Sequence, residues 1–421
     1  MLTELWPALV IMLVFMFLNF PIYISVLAAA LYICIFVVNM PLQLAFTIGF
    51  EGISRNALMA IPFFVLAGNC ISEGTMGKRL IECFTTIFKG VRAGLPVAAT
   101  LASGVFGAIS GSPPAQVAVF TKILHKPLAD SEGDKMATGL IISSAGTDGL
   151  FPPSVTLIIY GLISEQSVAK LFIAGIMPAM LLTVMYIVYC LWKCKNKTME
   201  KIDWKEVAKA WKKGIPILLM PLLVLGGIYG GFVTPTEAGA LAAGYCVIMG
   251  LAMKDLKPSD LIKVLRSSMR TIAQVFILIV VSTFFARMLI VSQFHLAITA
   301  GLAGLSPWQF LLMLNILLLM VGMFFDPIAG MLIMVPVLLP AAISMGVDPV
   351  HLGIIVATNL LIGMFTPPFG INIFVSQSIL KYDIKYYTIC LAPFIGIYLV
   401  ALVLLTYVPA ITLWLPNLMF G

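Results

Sequence analysis

Long apolar stretches recur along this chain from one end to the other. Of its 421 residues, 61% are hydrophobic and only 10% are charged, and the mean hydropathy is +1.08. A soluble domain has roughly a quarter charged residues, whereas a membrane-spanning helix needs about 20 apolar residues in succession. The short alternating strands of a membrane barrel are not found in the sequence. The chain is therefore predicted to be an all-α polytopic membrane protein.

Two of these apolar stretches are interrupted by adjacent prolines. They read GLFPPS at 149–154 and GMFTPPFGIN at 363–372. Proline has no backbone N–H, and it moves the residue before it away from helical geometry. An unsatisfied backbone group costs several kcal/mol in hydrocarbon, so such a break is expected where the backbone lines a cavity or binds a ligand. A single proline would merely kink a helix, but two proline pairs at matching positions of the chain favour a ligand-binding site at each break.

Two further segments, 94–128 and 307–345, each predict two short apolar helices that meet at a break. The breaks are Ser110-Gly-Ser-Pro-Pro114 and Asp326-Pro327. Each arm is too short to span a bilayer comfortably, so both segments are interpreted as re-entrant hairpins. The predicted spanning helices are 4–20, 21–40, 57–74, 136–163, 168–192, 214–232, 235–253, 271–291, 351–380 and 388–415.

The basic residues predict which side of the membrane each loop faces. With five crossings on each side of a cytoplasmic linker at 193–213, 22 of the 25 lysine and arginine residues are cytoplasmic, as the positive-inside rule expects. Both termini are then periplasmic. Because the net charge of +7 lies in short loops, it does not indicate a nucleic-acid partner. Segments 76–92 and 254–268 are amphipathic and are predicted to lie at the membrane surface.

The two halves of the chain repeat the same features at one offset. The separation between Pro152-Pro153 and Pro367-Pro368 along the chain equals that between Gly111 and Asp326. An odd number of crossings in each half inverts the second copy. Inverted repeats of five transmembrane helices and one hairpin each are typical of secondary transporters. The predicted units are the first repeat, the basic linker and the second repeat, at 1–192, 193–213 and 214–421.

Each half therefore supplies a hairpin tip and an unwound Pro-Pro turn. Unwound backbone exposes carbonyl oxygens that suit a hard cation such as Na⁺, whereas helix N-termini attract anions. The candidate binding residues of the first half are Ser103, Ser110, Gly111, Ser112, Thr147, Asp148, Pro152, Pro153 and Ser154. Those of the second half are Gly322, Asp326, Gly330, Gly363, Thr366, Pro367, Pro368 and Asn372.

Four charged residues lie in or near the apolar segments, where charge is costly and usually functional. Asp326 could ligate a cation or cap the second arm of its hairpin, and Asp148 could equally sit in an aqueous vestibule. Glu237 opens a helix and is expected to cap it. Arg287 lies late in an apolar helix, where it could reach the surface, form a salt bridge or contact another subunit.

The cysteines and histidines do not predict an enzyme. The seven cysteines are scattered through apolar runs and are expected to be buried hydrophobic side chains. The three histidines are far apart, are predicted in loops or near helix ends, and form no HExxH motif. A nucleotide-driven pump would need the GxxxxGK[ST] motif, which does not occur. A secondary transporter is favoured, and an intramembrane enzyme, a passive channel or a structural subunit of a larger complex are the alternatives.

The motifs of both halves resemble those of one transporter family. The second half contains GMFFDPIAGMLIMVPVLLP at 322–340 and GVDPVHLGIIVATNLLIGMFTPPFGINIFV at 346–375. These resemble the large membrane subunit of the tripartite ATP-independent periplasmic (TRAP) transporters. FGAISGS at 106–112 and GLFPPSVTLIIYG at 149–161 agree with it in the first half. The resemblance extends over essentially the whole chain.

The resemblance implies an elevator-type fold similar to the ion transporter superfamily, with a scaffold and a transport domain that carries both hairpins. It implies Na⁺-driven uptake of a small organic anion across the bacterial inner membrane, within membrane lipid. The implied partners are a small four-helix membrane subunit and a periplasmic substrate-binding protein. One implied Na⁺ site comprises Ser103, Ser110, Gly111, Ser112, Thr147 and Asp148, and the second comprises Asp326, Gly330, Gly363 and Thr366. Beside the proline pairs, Pro153, Ser154, Pro367, Pro368 and Asn372 would flank the substrate.

Two features depart from the usual pattern of that family. Ser112 is followed by Pro113-Pro114 where small residues are usual, and the turn Gly146-Thr-Asp-Gly149 carries a charge where the family is Gly-rich and uncharged. These differences predict a substrate other than the common dicarboxylates or sialic acid, such as a sulfonate or a neutral compound.

Overall fold

The computed structural model describes residues 2–18, 20–194, 202–294 and 304–420, which contain 19 α-helices and no strand. The helices of the first half are α1 Leu2–Phe17, α2 Ile22–Tyr32, α3 Leu42–Ile53, α4 Ala60–Glu73, α5 Met76–Ile87, α6 Gly94–Ser110, α7 Pro113–Glu132, α8 Asp134–Ser144, α9 Val155–Ser164 and α10 Val168–Lys193. Those of the second half are α11 Trp204–Tyr229, α12 Pro235–Ala252, α13 Pro258–Val291, α14 Pro307–Phe324, α15 Pro327–Ser344, α16 Pro349–Gly363, α17 Ile371–Leu380, α18 Ile384–Tyr407 and α19 Ala410–Phe420.

Helices are the expected elements here, because they satisfy their own backbone hydrogen bonds in a bilayer. Six of the described helices are long and apolar enough to cross a membrane: α10, α11, α13, α14, α15 and α18. The arms of the second hairpin, α14 and α15, are among them with 18 residues each. The expectation that these arms are too short to span is therefore wrong by length and composition.

One group of helices, α1–α4 with α11–α13, packs together and is called the framework. Within it α4 packs against α12 and α13, while α2 and α3 also pack along α13. Small residues allow a close approach, since a Cβ added at Gly52 would lie 2.6 Å from Thr283 Oγ1. Such small-residue contacts are the usual way in which membrane helices pack.

A second group, α6–α10 with α14–α19, is called the hairpin unit. In the first half, α6 and α7 pack against each other and against α8; in the second, α14 and α15 do the same with α16. The halves also interlock, because α17 packs against α7 and α9 packs against α15. The second arm of each hairpin thus contacts the last part of the other half's broken helix.

Several helix bounds differ from those predicted. No helix was predicted at 42–53, which forms α3. Helix α11 begins inside the predicted linker because the Asp203 carboxylate accepts the Lys205 N–H and caps it. Segments 254–268 and 271–291 merge into α13, since neither proline nor glycine separates them. The predicted helix 388–415 divides into α18 and α19, because Pro409 cannot continue a helix.

Residues predicted outside the breaks behave mostly as expected. The Glu237 carboxylate accepts the Thr234 N–H at 2.8 Å and caps α12, and all seven cysteines are buried. His125 does not lie near a helix end but inside α7, with Nε2 at 3.0 Å from Thr138 Oγ1. His351 lies in the first turn of α16, and His295 falls outside the described residues.

Candidate ion and substrate site

The first hairpin approaches the first Pro-Pro break through small residues of α6. A Cβ added at Gly107 would overlap Asp148, and one at Gly104 would lie 2.6 Å from the Phe151 ring. At the tip, Gly111 has a φ of 58°, a left-handed conformation that glycine adopts without strain. The hairpin and the break therefore form one tightly packed site.

Asp148 lies at the centre of this site and is fully buried, as are Ser103 and Gln116. With its amide nitrogen turned towards the carboxylate, Gln116 of α7 donates to Asp148 Oδ2 at 3.1 Å and to the Ser103 carbonyl oxygen at 3.1 Å. No described cation pairs with Asp148. Because an unpaired buried carboxylate is strongly unfavourable, this cluster is suited to bind a proton or a metal cation.

Asp326 occupies the tip of the second hairpin and caps α15. Its Oδ1 accepts the N–H groups of Ile328 at 2.9 Å and Ala329 at 3.2 Å. The structure thus shows the capping role, one of the two alternatives for this residue. Both hydrogen bonds use the same oxygen, and the residue is partly exposed, so Oδ2 keeps its lone pairs for a ligand.

The hairpin and the break meet in the same way in both halves. Gly322 is the counterpart of Gly107 in the second half, and Gly363 is the counterpart of Asp148, because the same number of residues separates the members of each pair. A Cβ at Gly363 would overlap the Gly322 backbone, with the Gly322 carbonyl oxygen at 2.5 Å, just as one at Gly107 would overlap Asp148. The carboxylates differ in position: the first half carries Asp148 at the break, and the second carries Asp326 at the tip. Each half therefore carries one carboxylate, either at its break or at its hairpin tip.

The two broken helices also lie directly against each other. A Cβ added at Gly149 would be 2.7 Å from the Leu361 side chain, and one at Gly146 would be 2.7 Å from the Phe365 ring. The Tyr398 hydroxyl donates to the Gly146 carbonyl oxygen at 2.7 Å. The breaks of both halves are consequently neighbours inside the hairpin unit.

Three of the six predicted hydroxyl ligands donate hydrogen bonds within their own segment. Thr147 Oγ1 and Thr366 Oγ1 donate to carbonyl oxygens of the preceding turn at 2.8 Å and 2.6 Å. Ser154 Oγ donates to the Gly149 carbonyl oxygen at 2.7 Å and accepts a backbone N–H of α9 at 3.3 Å. A hydroxyl that donates in this way still offers oxygen lone pairs to a cation. The Thr147, Thr366 and Ser154 hydroxyl oxygens can therefore ligate a cation, but their hydrogen bonds are complete without one.

The other predicted positions are backbone or cap residues. Ser112 is the N-cap residue of α7, and a Cβ at Gly330 would lie 2.7 Å from the Leu360 side chain. The Pro152-Pro153 and Pro367-Pro368 peptide bonds are cis.

Three buried polar side chains near the breaks have atoms without a hydrogen-bond partner. They are Ser110 Oγ, Asn359 Oδ1 and both amide atoms of Asn372. Asn359 and Asn372 are 0% exposed. An unsatisfied buried group costs about 1–3 kcal/mol, so these atoms are candidates for contact with a ligand or with water.

Gln116 and Asn359 belong to this site but were not predicted. Gln116 lies in the first turns of α7, and Asn359 lies one turn before Gly363, where its Nδ2 donates to Asn315 Oδ1 at 2.7 Å. Each is an amide side chain in an apolar helix beside a predicted break, and this combination was the available signal.

Comparison with known proteins identifies the family. The model of the family described as tripartite ATP-independent periplasmic transporter, DctM component, matches residues 9–411. The C4-dicarboxylate TRAP transporter large permease protein DctM of Pseudomonas aeruginosa is 37% identical over 398 residues, which cover 93% of each chain. The isethionate TRAP transporter permease protein DctMQ of Oleidesulfovibrio alaskensis is 33% identical over 95% of this chain and 64% of its own length.

Among solved structures, the fold is similar to that of the Alcanivorax borkumensis YdaH transporter. The TM-score is 0.58, and the match covers 87% of this chain and 86% of that one. The sequences are only 14% identical, so this similarity concerns the fold alone.

Proposed function

Because the chain belongs to the DctM component family of the tripartite ATP-independent periplasmic transporters, we propose that it couples Na⁺ entry to the uptake of a small organic anion. The chain is a multi-pass TRAP transporter large permease, and the relatives above are permeases. The observation that carries the coupling proposal is that each half has a single carboxylate, Asp148 at the first break and Asp326 at the tip of the second hairpin.

One Na⁺ ion would bind at each junction. In the first, Asp148 supplies the charge, Ser103 and Ser110 supply hydroxyl oxygens, and Gln116 orients the carboxylate. In the second, Asp326 supplies the charge through Oδ2, and the turn around Gly363 and Thr366 supplies further oxygens. Oxygen ligands of this kind suit hard cations. The unpartnered Ser110 Oγ supports this donor set, and each ion would neutralise one carboxylate.

The substrate would lie between the proline pairs, against Ser154 and Asn372. The curated relatives are named for a dicarboxylate and for isethionate, and the charged turn at Asp148 favours a substrate of the second, sulfonate class. A sulfonate has three acceptor oxygens, which would pair with the Asn372 amide donors and with N–H groups at the start of α9 and α17.

Replacing Asn372 by leucine is expected to leave stability unchanged or raised, while uptake falls by about tenfold or more. The reason is that the side-chain amide makes no hydrogen bond with any described residue, so its removal costs no partner among them but deprives the substrate of one. Thermal unfolding and proteoliposome uptake would be measured on the same preparation. Parallel loss of stability and uptake would contradict a substrate role. Asn417→Leu, in the last helix α19, is the matched control.

Transport would proceed by movement of the hairpin unit along the framework, in an elevator mechanism built on two inverted repeats. Arg55 connects the two groups: its Nη1 donates to the Leu162 carbonyl oxygen at 3.0 Å, and its Nη2 lies 3.7 Å from Glu165 Oε1. The side chains of this pair are 53% and 76% exposed. Exposed ion pairs contribute at most about 1 kcal/mol to stability, so the Arg55–Glu165 contact can break and reform during transport.

Cross-linking Arg55→Cys to Glu165→Cys with a short bis-maleimide is expected to abolish uptake, because it would tie the hairpin unit to the framework. The seven native cysteines are buried, so the reagent would react at the introduced pair. The control is Lys78→Cys with Glu82→Cys, which lie on the single helix α5 and whose linkage should not impair uptake. Full uptake by the protein cross-linked between positions 55 and 165 would exclude movement of the hairpin unit along the framework.

The proposed partners are a small four-helix membrane subunit and a periplasmic substrate-binding protein, in a bacterial inner membrane with both termini periplasmic. The protein named DctMQ supports the first partner, because this chain matches only 64% of its length. The additional length of that relative is compatible with a small subunit fused to the large one.

The deciding experiment is uptake into proteoliposomes that contain the full chain with its small subunit and binding protein. An inward Na⁺ gradient should drive accumulation of the substrate above its external concentration. Equal uptake with a K⁺ gradient of the same size would exclude Na⁺ coupling.

A further inference from the structure

A cavity of about 700 Å³ lies between the framework and the hairpin unit. Its walls come from α3 and α13 on the framework side and from α9 and α15 on the other. None of the predicted Na⁺ or substrate residues lines it, so it is separate from the junctions described above. Most of its wall is apolar, and includes Leu44, Ile159, Ile163, Leu332 and Leu339.

Four charged side chains line this cavity, and two of them are already paired. Arg55 and Glu165 form the contact between the two groups. Glu51 and Arg287 are exposed, and neither forms an ion pair with a described residue. The cavity therefore offers one free anion and one free cation.

These two free charges line the cavity from the packed helices α3 and α13. Gly52 packs directly on Thr283, because a Cβ added at Gly52 would lie 2.6 Å from Thr283 Oγ1. Glu51 adjoins Gly52 in the chain, and Arg287 follows Thr283 by four residues, on the same face of α13.

An unused polar group completes the lining. Ser282 Oγ is without a hydrogen-bond partner although the residue is only 1% exposed, and the residue lines the cavity. Pro336 in α15 has no N–H, so the carbonyl of Leu332, four residues earlier, lacks its usual helical partner. A buried hydroxyl without a partner points to a ligand with a polar group at this depth.

We propose that the cavity binds one zwitterionic glycerophospholipid with an ethanolamine headgroup. Its phosphate contacts Arg287, its ammonium contacts Glu51, and one acyl chain covers the apolar wall. An anionic lipid without an amine would leave Glu51 facing a like charge, and a small polar solute would leave the apolar wall uncovered. The lipid thus fills the space between the two groups of helices.

The test is native mass spectrometry of the full-length protein after delipidation and titration with phosphatidylethanolamine or phosphatidylglycerol. The wild-type protein should bind one phosphatidylethanolamine more tightly than phosphatidylglycerol. Glu51→Gln should weaken phosphatidylethanolamine binding by about tenfold, because the amine contact is lost, and should strengthen phosphatidylglycerol binding, because a like charge is removed. Arg287→Gln should weaken both lipids. The control is Arg270→Gln, an exposed arginine of the same helix that does not line the cavity.

Two results would overturn the lipid assignment. One is that neither Glu51→Gln nor Arg287→Gln changes the binding of either lipid. The other is displacement of the bound lipid by millimolar succinate or ectoine, which would make the cavity a solute site. Lipid binding is measured without a Na⁺ gradient, so this proposal and the coupling proposal can fail independently.

Discussion

Asp148→Asn should raise the Na⁺ concentration needed for half-maximal uptake by about tenfold or more, because a neutral amide replaces the only formal charge at the first junction. Folding should be retained. Asparagine has nearly the same shape as aspartate, still accepts a hydrogen bond from Gln116, and removes a buried charge that no described cation pairs. The measurement is the Na⁺ dependence of uptake, together with thermal unfolding in the presence and absence of Na⁺.

The matched control for this change is Asp130→Asn, which removes an exposed carboxylate from α7. It should alter neither the Na⁺ dependence nor stability beyond about 0.5 kcal/mol. If Asp148→Asn kept the wild-type Na⁺ dependence but shifted the pH dependence of uptake, the buried carboxylate would be a proton site and the coupling ion at the first junction would be H⁺. If the variant did not fold, the Asp148 carboxylate would be a structural group.

Gly363→Ala should cost the protein both stability and transport. The added methyl group would overlap the backbone of Gly322, and backbone atoms cannot rotate away as a flexible side chain can. The hairpin arm α14 must then move off the break. Overpacking of this kind costs typically about 1–3 kcal/mol, and a melting temperature lower by several degrees is expected. The displaced oxygens of the second junction should also weaken Na⁺ binding.

The control for the glycine change is Gly396→Ala in α18, where an added Cβ has no neighbour within 4 Å. That substitution should be neutral or slightly stabilising, because alanine favours a helix by about 0.5–1 kcal/mol over glycine. A wild-type melting temperature for Gly363→Ala would show that α14 does not press on the break as described. Loss of Na⁺ dependence at unchanged stability would instead indicate that the contact acts only on the ion.

Much of the fold could be predicted from local sequence. The Pro-Pro pairs lack N–H groups, so a helix break at each was unavoidable, and the structure has α8 and α9, or α16 and α17, on either side of it. Helix bounds were less predictable where no proline or glycine marks them. Helix α13 runs through the boundary expected near residue 270, since a continuous helix and two adjoining ones have the same local composition.

The predicted site residues stay predictions, and the structure adds two neighbours to them. Asp148 was chosen because a carboxylate at membrane depth is costly, and Asn372 because it follows a proline pair; both are fully buried. Gln116 and Asn359 are also polar groups at membrane depth, but they lie within helices beside the breaks and not in the breaks themselves. Their importance depends on which helix packs on which break, and a local pattern contains no such information.

The sequence alone determined that the chain spans a membrane, that two of its helices are broken at matching positions of the two halves, and that each half carries a carboxylate at its helix break or its hairpin tip. These follow from hydropathy, from the missing N–H of proline and from the cost of buried charge, which are properties of single residues and short segments. Only the tertiary structure decided that Asp148 and Gly363 occupy equivalent contacts with Gly107 and Gly322, and that a cavity separates the framework from the hairpin unit. The physical reason is that close backbone approach and enclosed space are properties of pairs of helices, and they exist only once the helices have packed.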